Sequence, residues 1–196
     1  HSDGHISKHT ISVESRTYVE QRIDGLPSNQ VSEYSEQALK RIRASSARKR
    51  VGFASKQEVI YLTNGFDYPV RDFVKTSPFG SRRILNGTPK KPHYGVDIAA
   101  PLGTPIYAPA DGVVALADDD LYFEGAMVML DHGQGLTSLY LHVNAIFVQP
   151  GDTVKRGDKI AEIGSKGRST GPHLCWRLKW RKENLDPELL TQWPGR

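Results

Sequence analysis

The sequence predicts an all-β fold, an antiparallel β-sandwich or barrel-like domain, over most of its length. Short β-prone runs such as TPIYAPA, GVVALAD and LTSLYLHV follow one another from residue 66 onward, separated by Gly, Pro, Asn and Asp. Helical periodicity is nearly absent from this part of the chain. Closely spaced strands joined by turn residues are typical of antiparallel sheets that pack face to face or close on themselves.

Two elements are predicted ahead of this β-rich part. Residues 10–23 contain alternating stretches that favour a strand, and the run DGLPSN after them favours a turn. Residues 32–50 predict a short helix, because Ser32 is a suitable N-cap, Glu36 falls in the first turn and basic residues crowd the far end.

These elements divide the chain into three parts. We predict an N-terminal tail and strand at 1–28, a basic helical linker at 29–65 and the main β domain at 66–196. An alternative for the first part is that its strand is the remnant of a truncated preceding domain.

Composition narrows the class of protein without choosing a function. The 196 residues carry a net charge of +4, with a pI of about 9.1, which favours anionic partners such as acidic envelope polymers or lipid headgroups. Nucleic acid has no support beyond this charge and is not predicted as a partner. No apolar run approaches the ~20 residues that span a bilayer, so no transmembrane segment is predicted. A single cysteine excludes an internal disulfide.

The segment KPHYGVDIAAP places His93 four residues before Asp97. On a regular strand four residues span ~13 Å, too far for both side chains to bind one metal ion at ligand distances of about 2 Å. The segment must therefore bend for the pair to share a metal, and Gly95 can adopt the backbone angles of a bend. Asp97 also opens an apolar run, where an unpaired carboxylate would be costly to bury.

Two further strands carry candidate site residues. In LTSLYLHV the alternation places His142 on one face with Ser138 and Tyr140, and in GPHLCWRLKW it places His173 and Cys175 on one face. Taken singly, a strand histidine is usually a hydrogen-bonded structural residue. Together with the His–Asp segment, these residues can supply three metal ligands and two free imidazoles, which is the pattern of a catalytic zinc site.

Several blocks in order closely resemble lysostaphin/LytM-type zinc endopeptidases of bacterial cell walls. The blocks are HYGVDIAAPLGTPIYAPADGVV, HGQGLTSLYLHV, VQPGDTVKRGDKIAEIGSKGRSTGPHL and CWRLKW. The resemblance implies zinc ligands at His93 and Asp97 and catalytic, non-ligating roles for His142 and His173. The family usually has a third histidine ligand, and here that position is Cys175.

A cysteine at the third ligand position changes the charge of the site. Thiolate binds zinc well, at ~2.3 Å, but it leaves a His–Asp–Cys site with no net charge where a His–Asp–His site carries one positive charge. We expect weaker polarisation of a substrate carbonyl than in the all-histidine site. The alternative is that Cys175 is a small apolar residue in a site that has lost its metal.

The resemblance makes 66–196 the zinc endopeptidase domain and predicts one Zn²⁺ ion as its cofactor. The predicted function is zinc-dependent hydrolysis of peptide bonds in peptidoglycan. We expect a monomer that works in the periplasm or outside the cell and that can make peripheral contact with the envelope. The alternative is a catalytically degenerate family member that binds peptidoglycan or activates a partner cell-wall hydrolase.

Overall fold

The computed structural model describes residues 10, 12 and 15–192, so residues 1–9 of the predicted tail lie outside the described part. One α-helix, α1, covers Glu36–Phe53, and two 3₁₀ helices cover Ser28–Gln30 and Pro187–Leu190. The strands are β1 (Glu20–Ile23), β2 (Val74–Ser77), β3 (Arg82–Leu85), β4 (Thr88–Pro89), β5 (Val96–Ala99), β6 (Pro105–Tyr107), β7 (Gly112–Leu121), β8 (Gly125–Asp131), β9 (Leu136–Leu141), β10 (Val143–Ile146), β11 (Thr153–Val154), β12 (Lys159–Ile163), β13 (Leu174–Trp180) and β14 (Glu183–Leu185).

The strands form one large sheet and two small ones. The large sheet has the order β11-β7-β8-β9-β13-β5-β2, with β14 also paired to β13, and the small sheets are β10-β12-β6 and β1-β3-β4. Among the described strands every pairing is antiparallel except that of β1 with β3, which is parallel. The predicted all-β fold is confirmed.

Both faces of the large sheet are buried. One face contributes Trp176 and Tyr140 to the main core, whereas the other contributes Met127 and Met129 to a second apolar cluster. The alternation predicted for β13 holds, because Trp176 lies in the first cluster and its neighbour Cys175 lies in the second. The face that carries Cys175 is therefore distinct from the face that carries the main core.

Helix α1 packs against the face that carries the second cluster. It begins three residues later than predicted, with Ser35 as the N-cap, whose Oγ accepts a hydrogen bond from the backbone of Ala38 at 3.2 Å. A Cβ added at Gly52 would lie 3.0 Å from Leu116 and Met129, so glycine permits the close approach. No helix in the described part of the chain has the length and apolarity needed to cross a bilayer.

Three basic side chains of α1 form ion pairs with carboxylates of β7 and the β7–β8 turn. The pairs are Arg41 with Asp120, Arg48 with Asp118 and Lys49 with Glu124. Part of the basic character seen in the sequence is therefore neutralised within the fold. The division of the chain at 1–28, 29–65 and 66–196 stays a prediction.

His132, in the turn between β8 and β9, is buried in the core with 1% of its surface exposed. Its Nδ1 is 2.7 Å from the carbonyl oxygen of Asp111, which can only accept, so the ring hydrogen is on Nδ1. Its Nε2 then accepts from the Ser138 hydroxyl at 2.7 Å, and Ser138 in turn accepts from Tyr140 at 2.7 Å. Ser138 and Tyr140, which the alternation placed on one face with His142, belong to this buried chain of hydrogen bonds.

We predict that His132 makes the fold sensitive to mild acid. Burial lowers the pKa of His132 from 6.5 to about 4, so the unfolded chain binds the proton more readily than the folded one. The free energy of unfolding should therefore fall by about 3 kcal/mol as the pH drops from above 6.5 to about 4. Urea unfolding of the wild type and of His132→Gln between pH 4 and pH 7.5 measures this pH dependence. The free energy of unfolding of the variant should change less with pH. Parallel profiles would contradict the prediction.

Candidate active site

One open cleft of about 930 Å³ brings together all five residues that the sequence singles out. His93 lies just before β5 and Asp97 lies within it, whereas His142 lies between β9 and β10. His173 lies just before β13 and Cys175 lies within it. Residues from distant parts of the sequence therefore meet because their strands are neighbours in the large sheet.

The register of β5 and β13 brings together the three predicted metal ligands. Asp97 and Cys175 are direct cross-strand partners, and such pairs have their side chains on the same face. His93 Nε2 lies 3.1 Å from Asp97 Oδ1 and 3.2 Å from Cys175 Sγ. Atoms bound tetrahedrally to one zinc ion lie roughly 3.3–3.5 Å apart, so these two distances are close to those of a zinc site. All three donor atoms lie within 4.8 Å of one another.

One of these donor atoms, the buried Asp97 Oδ1, makes no hydrogen bond, although His93 Nε2 lies 3.1 Å from it. The other carboxylate oxygen is paired with Arg83. Burial alone would raise the pKa of Asp97, but its contact with His93 and the charge of Arg83 hold it well below its ordinary value. Burial lowers the pKa of His93, which keeps the ring neutral, as a metal ligand must be. This set of donors fits zinc.

The bend predicted between His93 and Asp97 is present at Gly95. The reason for glycine is the close approach of β13. A Cβ at this position would lie 2.7 Å from Arg177 Cγ and 2.8 Å from the Trp176 carbonyl oxygen, and 3.3 Å from Cys175 Sγ. The missing side chain at Gly95 therefore allows the two ligand-bearing segments to approach each other.

The two other histidines face each other with their ring centroids 4.8 Å apart. His142 Nδ1 lies 2.8 Å from the Lys166 carbonyl oxygen, and His173 Nδ1 lies 2.9 Å from the Gly171 carbonyl oxygen. Since a carbonyl oxygen only accepts, both rings carry their hydrogen on Nδ1 and leave the Nε2 lone pair free. Burial, together with the repulsion that His173 exerts when it is protonated, lowers the pKa of His142 to about 3.

The predicted placement of His142 on one strand face with Ser138 and Tyr140 was wrong. Strand β9 ends at Leu141, and His142 has a left-handed backbone with φ of 67°, a strained conformation for a histidine. This break in the strand lets its ring line the cleft instead of following Tyr140 into the core. Periodicity alone contained no signal for the break.

Sequence reasoning missed two arginines that contact predicted ligands. Arg83, from β3, pairs with Asp97, and Arg177, on β13, donates from Nε to Cys175 Sγ at 3.2 Å. Burial raises the pKa of the Cys175 thiol to about 12, and the charge of Arg177 acts in the opposite direction. Arg177 could have been found from its alternation with Cys175 on β13, whereas nothing in the sequence joins Arg83 to Asp97.

Known proteins resemble this chain in both sequence and fold. The model of the family described as Peptidase family M23 matches residues 91–187. The peptidoglycan DD-endopeptidase ShyA of Vibrio cholerae is 40% identical over 113 residues, which are 57% of this chain and 26% of that protein. The chain spans only 26–29% of the length of three curated relatives that it matches.

Two solved structures are similar in both fold and sequence. A zinc-containing peptidase from Vibrio cholerae has a TM-score of 0.59 at 36% identity, covering 63% of this chain and 39% of that one. The catalytic domain of the antimicrobial peptidase lysostaphin from Staphylococcus simulans has a TM-score of 0.55 at 30% identity, covering 62% of this chain and 94% of that one. The predicted zinc cofactor agrees with the first structure and with the donor set described above. By its similarity to nearly the whole lysostaphin catalytic domain, this chain belongs to peptidase family M23.

Proposed function

We propose that this chain is a zinc-dependent endopeptidase that hydrolyses peptide bonds in the peptidoglycan of the bacterial cell wall. The observation that carries the proposal is the convergence, in one cleft, of three metal donors and two histidines with free Nε2 atoms. All five residues come from one chain, which supports action as a monomer. A peptidoglycan substrate places the working enzyme in the periplasm or outside the cell.

His93, Asp97 and Cys175 would hold the zinc ion, and the bound ion would supply Lewis acidity toward a peptide carbonyl group. His142 and His173 would handle the protons. One of them accepts the proton of the attacking water at Nε2, and the other, once protonated at Nε2 from solvent, donates that proton to the leaving amine or steadies the charge on the carbonyl oxygen. Their Nδ1 hydrogens stay bound to backbone carbonyls, which holds both rings in place.

The proposal predicts one zinc ion per chain and zinc-dependent release of soluble muropeptides from purified peptidoglycan. Metal content is measured by mass spectrometry and muropeptide release by liquid chromatography. His142→Ala and His173→Ala should each keep the zinc but slow release by about 100-fold or more, because they remove proton transfer and not a ligand. Asp97→Ala should lose the zinc as well.

Asp119→Ala is the matched control for Asp97→Ala, because it removes an exposed carboxylate from β7 and should change neither zinc content nor cleavage. A protein that binds peptidoglycan but neither holds zinc nor releases muropeptides would support the catalytically degenerate alternative. A wild type without zinc or cleavage would overturn the proposal.

We predict that the Cys175 sulfur is a metal ligand and not simply a core atom. With Co²⁺ in place of zinc, the wild type should show a sulfur-to-cobalt charge-transfer band in the near ultraviolet, because thiolate is a soft donor. Cys175→Ser should lose this band and bind zinc at least about tenfold more weakly. A wild-type cobalt spectrum without the band would refute ligation by sulfur.

Arg177 should make the site intolerant of the usual third histidine. Cys175→His would remove the anionic sulfur beside Arg177 and leave a half-buried cation close to the metal, which costs zinc affinity. Adding Arg177→Gln should recover part of that loss, with a coupling of about 0.5–3 kcal/mol between the two positions. Chelator competition on the wild type, both single variants and the double variant measures the coupling, and additive effects would argue against it.

A further inference from the structure

The N-terminal strand β1 reaches the predicted metal site from outside the segment that the family model matches. Its parallel pairing with β3 aligns Gln21 with Arg83, and Gln21 lines the same cleft as His93. Gln21 Nε2 lies 3.0 Å from the Thr76 carbonyl oxygen, and Gln21 Oε1 lies 2.7 Å from the Ser77 hydroxyl. Ser77 Oγ in turn lies 3.2 Å from His93 Nδ1.

The direction of each hydrogen bond in this series can be worked out. The Thr76 carbonyl only accepts, so the Gln21 amide must turn its NH₂ group toward it and its oxygen toward Ser77. Ser77 has one hydroxyl hydrogen, which it donates to Gln21 Oε1 in the short contact of 2.7 Å. The hydrogen between Ser77 and His93 must then belong to the imidazole, which donates from Nδ1.

This assignment leaves Nε2 of His93 without a hydrogen, although Asp97 Oδ1, which only accepts, lies 3.1 Å from that atom and competes for the ring hydrogen. With its hydrogen on Nδ1, the neutral ring has its lone pair on Nε2, the atom that lies 3.1 Å from Asp97 Oδ1 and 3.2 Å from Cys175 Sγ. The other tautomer would place a hydrogen where the metal must bind. Outer hydrogen-bond partners of this kind commonly fix the tautomer of a histidine ligand.

We propose that Gln21 is a positioning residue of the metal site, acting through Ser77 to keep His93 Nε2 free for the metal. The inference rests on the proposed role of His93 as a zinc ligand. Ser77 Oγ also lies 3.4 Å from Ser81 Oγ, a competing acceptor that is more distant than Gln21, and 3.3 Å from Arg83, which only donates to it. Without Gln21 the Ser77 hydroxyl is free to donate to His93 Nδ1.

The test compares four versions of the whole chain, namely the wild type, Gln21→Met, Gln21→Glu and Glu20→Gln. Gln21→Met keeps the length of the side chain but removes its acceptor, whereas Gln21→Glu keeps an acceptor for Ser77. Glu20→Gln changes the exposed neighbour on the same strand and is the matched control. The tautomer of His93 is read from its ring ¹⁵N chemical shifts in zinc-free protein, and zinc affinity from competition with a chelator.

The wild type and Glu20→Gln should show the hydrogen on Nδ1, and Gln21→Glu should keep it there. Gln21→Met should shift hydrogen onto Nε2 and weaken zinc binding by about 10–100-fold. An unchanged tautomer and affinity in Gln21→Met, as when Ser81 takes over as acceptor, would overturn the inference while leaving zinc binding by the wild type intact. A wild type with the His93 hydrogen on Nε2, held by Asp97, would overturn it as well. A wild type that binds no zinc would instead overturn the proposed function.

Ser77→Ala provides a second route should Gln21→Met fold poorly, which thermal unfolding would reveal. This variant removes the acceptor for His93 Nδ1 directly and should give a mixture of tautomers with weaker zinc binding. Retention of the wild-type tautomer in well-folded Ser77→Ala would also overturn the inference.

Discussion

The site depends on the antiparallel register of β5 with β13. This register places Asp97 opposite Cys175, on the face of the sheet away from the main core. A slip by one residue would turn Cys175 into that core and bring an apolar neighbour to the metal position. Gly95 permits the approach, since any side chain there would collide with β13. The close packing of β5 against β13 is therefore also what brings the metal donors together.

Charge balance around the donors is the second constraint. Asp97 and Cys175 would place two negative charges on one zinc ion, and Arg83 and Arg177 each lie beside one of these donors. The sequence alone suggested a site with no net charge and weak polarising power. The position of Arg177 modifies that expectation, because its cation lies next to the sulfur and offsets the additional negative charge that the cysteine brings.

The parts of this protein that the sequence predicted are those that depend on local pattern. Alternation along β13 correctly separated Cys175 from Trp176, and the requirement for a bend before Asp97 was met at Gly95. The same reasoning misplaced His142, because a single left-handed residue interrupts the alternation. The contact of Gln21 with Ser77 spans 56 positions and depends on a parallel pairing, so neither periodicity nor motif spacing contains it.

The three histidines of the cleft differ in the group that accepts the hydrogen bond from Nδ1. This difference makes metal affinity independent of the arrangement for proton transfer. His142 and His173 donate to backbone carbonyls, which no substitution at the accepting residue can remove. His93 donates to a side chain, Ser77, whose hydroxyl is oriented by Gln21. Sequence changes in β1 can therefore alter how tightly the metal is held while the two proton-carrying rings keep their tautomers. Metal affinity in this fold is adjustable from outside the segment matched by the family model, whereas the arrangement for proton transfer is built into the backbone.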